Sequence, residues 1–197
     1  MVASARTSIR PPAPSKIKIL ATADELFYEE GIHTVGVDRI IASAHVTKAT
    51  FYKHFRSKDL LIIAYVEGRD QQIRAFFDEE EASGEGPEAV LRSLIEQMEN
   101  EAARPGFRGC PFINAAAQFA DPNHPVRIAV TAHRDWYARR IEGLMRDLGH
   151  PQPGDAADDL ILARDGALSG GYVGDPIAAG AALRRSADRL IAEAVAA

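Results

Sequence analysis

Apolar residues recur at helical spacing along almost the whole chain, and no stretch alternates with the period of two that a strand would need. Leu20, Ala23 and Phe27, with Ile19 and Leu26 beside them, mark a first helix that Ser15 can cap and Gly31 ends. Val37, Ile40, Ile41 and Ala44 stand at i, i+3, i+4, i+7 and predict a short second helix. After a turn at His45 and Val46, Thr47 can cap a third helix ending near Phe55, with Val46 and Phe51 placed as a hydrophobic staple. Ser57 can cap a long fourth helix reaching about Glu81.

Further helices follow at about 87–103, 111–120, 124–149, 156–172 and 177–195. Each break between them carries turn formers: the Gly-rich run 83–87, 104–106, 121–123, 150–154 and 174–176. The expected fold is all-α. A flexible arm (1–14) precedes a three-helix helix-turn-helix head (15–57), and a larger helical body (58–197) follows.

Charge sharpens that division. The chain carries a net charge of -5, but its first sixty residues hold nine Lys and Arg against six Asp and Glu, and the remainder fourteen against twenty-two. A mildly basic head on an acidic body would let DNA approach the head alone. Arg6 and Arg10 on the arm are either solvated or in reach of a minor groove or phosphate.

The third helix carries the chemistry. On a helical wheel Thr47, Phe51 and Phe55 turn toward a core, Ala49 and Lys53 point away, and Lys48, Thr50 and Tyr52 flank the outward face. Ala49 suits close approach to a thymine methyl. Lys53 can donate to guanine O6 and N7, and Thr50 and Tyr52 can reach phosphates or bases.

The run 25–61 resembles the DNA-binding domain of the TetR family of bacterial repressors. Leu26, Phe27, Gly31, Val37, Ile40, Ala44, Val46, Lys48, Thr50, Tyr52, Phe55, Lys58 and Leu60 carry the likeness. The resemblance implies DNA contacts from Thr47, Lys48, Ala49, Tyr52, Lys53 and His54, and a phosphate clamp at Lys58. Three positions depart from the family pattern. His45 replaces a turn glycine, Ala49 replaces a glycine, and Val35 replaces a hydroxyl residue whose phosphate contact passes to Thr34. His tolerates a positive φ better than most residues.

The same resemblance implies a ligand pocket in the body and a homodimer formed by its last two helices, one recognition helix per half of a palindromic operator. Pocket candidates are Met98, Phe112, Asn114, Gln118, His133, Trp136, Tyr137 and Tyr172, large rings with a few polar groups. Small residues are dense from 156 onward, and Leu160, Leu168, Ile177, Leu183 and Leu190 supply apolar surface either for a partner or for an intramolecular core.

The single cysteine, Cys110, excludes an intrachain disulfide and fits a reducing compartment; it is either a small buried residue or an oxidant sensor. No apolar run reaches membrane-spanning length, so a cytoplasmic protein with no membrane partner is expected. No hydrolase, phosphate-loop or metal signature stands in the sequence, and no cofactor is implied. These readings converge on a transcriptional repressor, not an enzyme, released from DNA by a small-molecule inducer. The competing reading is a helical small-molecule carrier or enzyme with an incidental basic hairpin.

Overall fold

The computed structural model describes residues 12–195, and every regular element among them is helical. The expectation for 1–11, including Arg6 and Arg10, lies outside the described residues. The helices are α1 (Pro14–Glu30), α2 (Val37–Ser43), α3 (Lys48–His54), α4 (Lys58–Ala82), α5 (Pro87–Ala102), α6 (Pro111–Ala117), α7 (Pro125–Asp147), α8 (Pro153–Val173) and α9 (Pro176–Val195). The fold is all-α, as the periodicity requires. Two compact units divide it between Leu61 and Ile62, and α4 runs through the boundary unbroken.

Proline starts many of these helices. Pro14, Pro87, Pro111, Pro125, Pro153 and Pro176 each take the first helical position, where no amide proton is needed and a φ near −65° is already helical. Two expected starts therefore move. Helix α1 begins at Pro14, which puts Ser15 inside it, and α8 begins at Pro153 rather than at 156. At α9 the Asp175 carboxylate accepts from the amides of Ile177 (2.9 Å) and Ala178 (3.1 Å).

In the first unit, α1 buries Ile19, Ala23 and Phe27 at i, i+4, i+8, whereas Leu20 and Leu26 are only half-buried. Ile32, Val35, Ile40, Ala44, Phe51 and Phe55 are buried in the same unit. Val35 is thus a core residue, fully shielded. The turn between α2 and α3 depends on His45, the only non-glycine with positive φ among the described residues (φ 49°). That backbone lets the Val46 amide reach back to the Ile41 carbonyl (3.2 Å).

In the second unit, α5, α7, α8 and α9 surround a core that includes Phe77, Leu91, Leu94, Met98, Ile141, Met145, Leu160, Leu183, Leu190 and Ile191. Small residues set the helix spacing. A Cβ placed on Gly180 would stand 3.1 Å from the Glu99 side chain, a tight contact that Glu99 would have to relieve by shifting a few tenths of an ångström. The side chains of Glu99 and Arg184 close the same contact with an ion pair.

The left-handed backbone at His45 gives a direct test. His45→Val should destabilise the head by about 1–2 kcal/mol, because a β-branched side chain crowds the carbonyl at positive φ, while His45→Gly should not. Amide exchange across 46–51 would read the difference.

Candidate functional site

Two places gather chemistry. In the first unit, α3 is only seven residues long, and its ends are secured by side chains. The Thr47 hydroxyl accepts from the Thr50 amide (3.1 Å) and bonds the Thr50 hydroxyl (2.8 Å). Thr47 is consequently an exposed cap and not a core-facing residue, which corrects its placement beside Phe51 and Phe55. Those two phenylalanines are buried and anchor the helix, at 0% and 4% exposure. The Ser57 hydroxyl caps α4 by accepting from the Leu60 amide (3.2 Å).

With that side anchored, the opposite face is open: Lys48, Ala49, Tyr52 and Lys53 are all exposed, and Arg56 lies just beyond. Thr34 is exposed ahead of α2. Lys48 stands 3.8 Å from Asp38, a contact between two solvated side chains that water and salt weaken. His54 behaves differently. Its Nε2 bonds the Ser15 hydroxyl at 2.7 Å, so the ring ties the end of α3 to the start of α1 and is engaged inside the head. Lys58 is half-buried; burial pulls its ammonium below the usual lysine range, and the Asp59 charge opposes that pull.

The second place lies in the body, where α4, α6, α7 and α8 bring charged and aromatic groups together. The Phe112 ring lies flat on the His133 imidazole, centroids 3.6 Å apart and planes 5° from parallel. His133 Nδ1 is 2.8 Å from Asp70 Oδ1, and Arg74 Nε donates to Asp70 Oδ2 at 2.6 Å. Burial pulls His133 below the ordinary imidazole range, against the bonded Asp70 carboxylate, so the ring is neutral at pH 7. Burial pushes the Asp70 carboxyl up, but the hydrogen bonds and charges of Arg74 and His133 outweigh it and leave it below the usual range. An ionised carboxylate only accepts, so Nδ1 carries the His133 proton.

Arg164, itself buried, completes the cluster. Its NH1 donates to Asp165 Oδ1 (2.6 Å), its NH2 lies 3.6 Å from Cys110 Sγ, and its guanidinium stands 5.0 Å from the Tyr137 ring centroid. Arg134 holds the other oxygen of Asp165 at 2.7 Å. Phe112, His133, Arg134, Tyr137, Ile161 and Arg164 enclose a cavity of about 10 Å³, room for about one water. Cys110 is buried beside them.

Of the expected pocket residues, Phe112, His133 and Tyr137 meet here, and Trp136 stands at the edge under the Arg74 guanidinium (4.0 Å to the centroid). Met98 belongs to the hydrophobic core, not to the cavity. Asn114 donates to the Arg108 carbonyl (2.6 Å) and Gln118 to the Asn114 carbonyl (3.3 Å), both serving the ends of a seven-residue helix. Tyr172 is 43% exposed, 5.1 Å below the Arg108 guanidinium. Asp70, Arg74, Arg164 and Asp165 escaped the sequence reading. Arg164 did leave a trace: it interrupts the buried stripe of Leu160, Ala167, Leu168 and Gly171 on α8, where a solvated arginine would not fall.

The interface residues also need correcting. Leu160, Leu168, Leu183 and Leu190 are 2–6% exposed and fill the body's own core, so they present no surface to a partner. Ile177 alone of that set is open, at 81%. The apolar periodicity was real, but the buried stripe of each helix is the one facing its neighbours in the same chain.

Comparison with known proteins gives this geometry its family. Residues 19–65 match the model of the bacterial regulatory proteins of the tetR family. A curated relative, the transcriptional regulator AcuR of Cereibacter sphaeroides, is 32% identical over 121 residues, 60% of this chain and 55% of its own length. The HTH-type transcriptional repressor NemR of Escherichia coli is 28% identical over 115 residues, 57% of each chain. The chain thus spans a little over half the length of these curated relatives. The crystal structure of a TetR-family transcriptional regulator from Streptomyces coelicolor is 37% identical, with a TM-score of 0.86 over 91% of this chain and 95% of that one. Anchored head, open α3 and a likeness of 37% identity over 91% of the chain agree: the chain belongs to the TetR family of bacterial regulatory proteins.

Proposed function

We propose that the chain is a cytoplasmic transcriptional repressor, without enzymatic activity, that binds a palindromic DNA operator as a homodimer and leaves it when a small-molecule inducer enters the body. The observation that carries this reading is α3, fixed by Phe51, Phe55, the Thr47 cap and the His54–Ser15 bond, with Lys48, Ala49, Tyr52 and Lys53 exposed on its outer face. A major groove admits a helix presenting such groups. Lys53 is placed to read a guanine edge, Ala49 permits close approach, and Tyr52, Lys48, Thr34 and Lys58 are suited to backbone phosphates. Thr47, Thr50 and His54 act chiefly by holding the helix, since their polar atoms already have partners within the head.

Dimerisation is assigned here to the exposed faces of α8 and α9. On α8, Leu162 and Val173 are 73% and 80% exposed. Eleven residues apart, they fall within about 20° of each other around the helix, with the exposed Gly166 and Ser169 between them. On α9, Ile177 and Val195, 81% and 72% exposed, are eighteen residues apart and fall on one line. Apolar ends with small residues between them suit close helix packing against a second copy.

For coupling, α4 is the candidate lever. It carries Lys58 in its first turn and Asp70 twelve residues on, so a ligand that disturbs the Asp70–His133 bond acts on the helix that carries Lys58. Release requires only that the ligand bind more tightly to the conformation that does not fit DNA.

Mobility-shift titrations on the operator test the head. Lys53→Ala should cost about 1–3 kcal/mol and relax preference at one base pair, whereas Lys58→Ala should weaken all sequences alike and lower the salt slope by about one unit. Unchanged affinity and preference in Lys53→Ala would overturn the orientation assigned to α3. Sedimentation tests the interface: Leu162→Glu or Val173→Glu should give monomers of undiminished helicity. Leu183→Glu should instead unfold the body, because it buries a charge in the chain's own core.

A further inference from the structure

Around the Phe112–His133 stack three guanidinium groups, of Arg74, Arg134 and Arg164, face two carboxylates. Every carboxylate oxygen is already engaged. Asp70 serves His133 and Arg74 with one oxygen each, and Asp165 serves Arg164 and Arg134 in the same way. Burial disfavours a further charge on His133. The contacts of the cluster therefore leave one positive charge in excess.

The three arginines are not equal. The side chains of Arg74 and Arg134 are 38% and 43% exposed, and water can solvate them; that of Arg164 is 10% exposed. Its single carboxylate partner is shared with Arg134. Its NH2 is directed at Cys110 Sγ, at 3.6 Å, and a thiol is a weak acceptor. A buried guanidinium in that position gains far more from a carboxylate oxygen than from sulfur.

The space beside it is filled by a side chain of suggestive shape. The Phe112 ring is stacked on His133 and comes from α6, a helix of seven residues, while Tyr137 and Ile161 line the same cavity. A cavity of about 10 Å³ holds no ligand until Phe112 moves. A flat molecule could take the place of that ring on the imidazole.

We propose that this site takes a small monocarboxylate with a flat, unsaturated body, its carboxylate on Arg164 in place of Cys110 Sγ and its plane stacked on His133 in place of Phe112. One negative charge matches the excess of the cluster. A dianion would overshoot it and be costlier to strip of water, and a cation would be repelled. The inference rests on the reading above that the body holds the inducer, and it adds the inducer's chemical class.

Benzoate is the probe, and benzamide, equal in shape but uncharged, is the control, both added to the full chain. Trp136 reports binding by its fluorescence, since its ring centroid is 6.2 Å from that of His133. Benzoate should bind saturably and raise the melting temperature, and benzamide should bind about tenfold more weakly or worse. Arg164→Gln should lose benzoate by about the same factor. Phe112→Ala, which keeps Arg164 and vacates the stacking position, should bind benzoate more tightly than the wild type does, so the test stands even where the Arg164 variant does not fold. Equal affinity for benzoate and benzamide, no saturation by about 10 mM, or weaker benzoate binding by Phe112→Ala would overturn the proposal. None of these readouts uses DNA. Saturable benzoate binding that leaves operator affinity unchanged would uphold the anion site and overturn the body's role in release.

Discussion

A guanidinium cannot be taken out of water cheaply: stripping it of solvent costs several kcal/mol even after the surroundings relax, and the cost is recovered only through good hydrogen-bond geometry. Arg164 sets that requirement in the middle of the body, on a helix stripe otherwise made of Leu, Ala and Gly. Much of the surrounding architecture answers it. Asp165 must lie next to it, Tyr137 must offer its ring, and Cys110 must end its loop against it. Burial favours the neutral forms of the remaining groups, which is why the His133 ring is neutral while Asp70, bonded by Arg74, stays charged. A core that needed only stability would use apolar residues of the same volume.

The head answers a different constraint. A seven-residue helix is far too short to hold itself together in water, so α3 exists only because its surroundings hold it. Phe51 and Phe55 bury one side, Thr47 supplies the missing acceptor at its start, and the Ser15–His54 bond ties down its end. The backbone at His45 aims it. The result is a short rigid rod with one face committed to the core and the other to the outside, as groove reading requires. Polar residues of α3 therefore sort by role. Thr47, Thr50 and His54 bond other groups of the head, and Lys48, Ala49, Tyr52 and Lys53 are exposed.

The legibility of the sequence differs between the two units for a physical reason. In the head, the signals are local: caps, a staple, a turn residue and the i, i+3, i+4 spacing of a small core all lie within a few residues of the features they specify. Thr47 as cap, Ser57 as cap and the outward Ala49–Lys53 face follow from adjacent residues. The exceptions involve distant partners. Nothing near His54 says that its ring meets Ser15, thirty-nine positions earlier, and nothing near Val35 says that it is wholly enclosed.

By itself the sequence determined the all-helical class, the order of the helices and their bounds to within about three residues, the charge division and the family likeness, because periodicity, capping and turn chemistry act over one or two turns of backbone. It could not decide which apolar stripe of α8 and α9 serves the protomer and which is left over. Leu183 and Ile177 look alike in a linear pattern, yet one is 2% and the other 81% exposed. Nor could it assemble Asp70, Phe112, His133 and Arg164, which lie up to ninety-four positions apart. Their meeting is a product of helix packing, in which the angle and spacing of four helices, set by small residues and core volume, determine which side chains share a cavity.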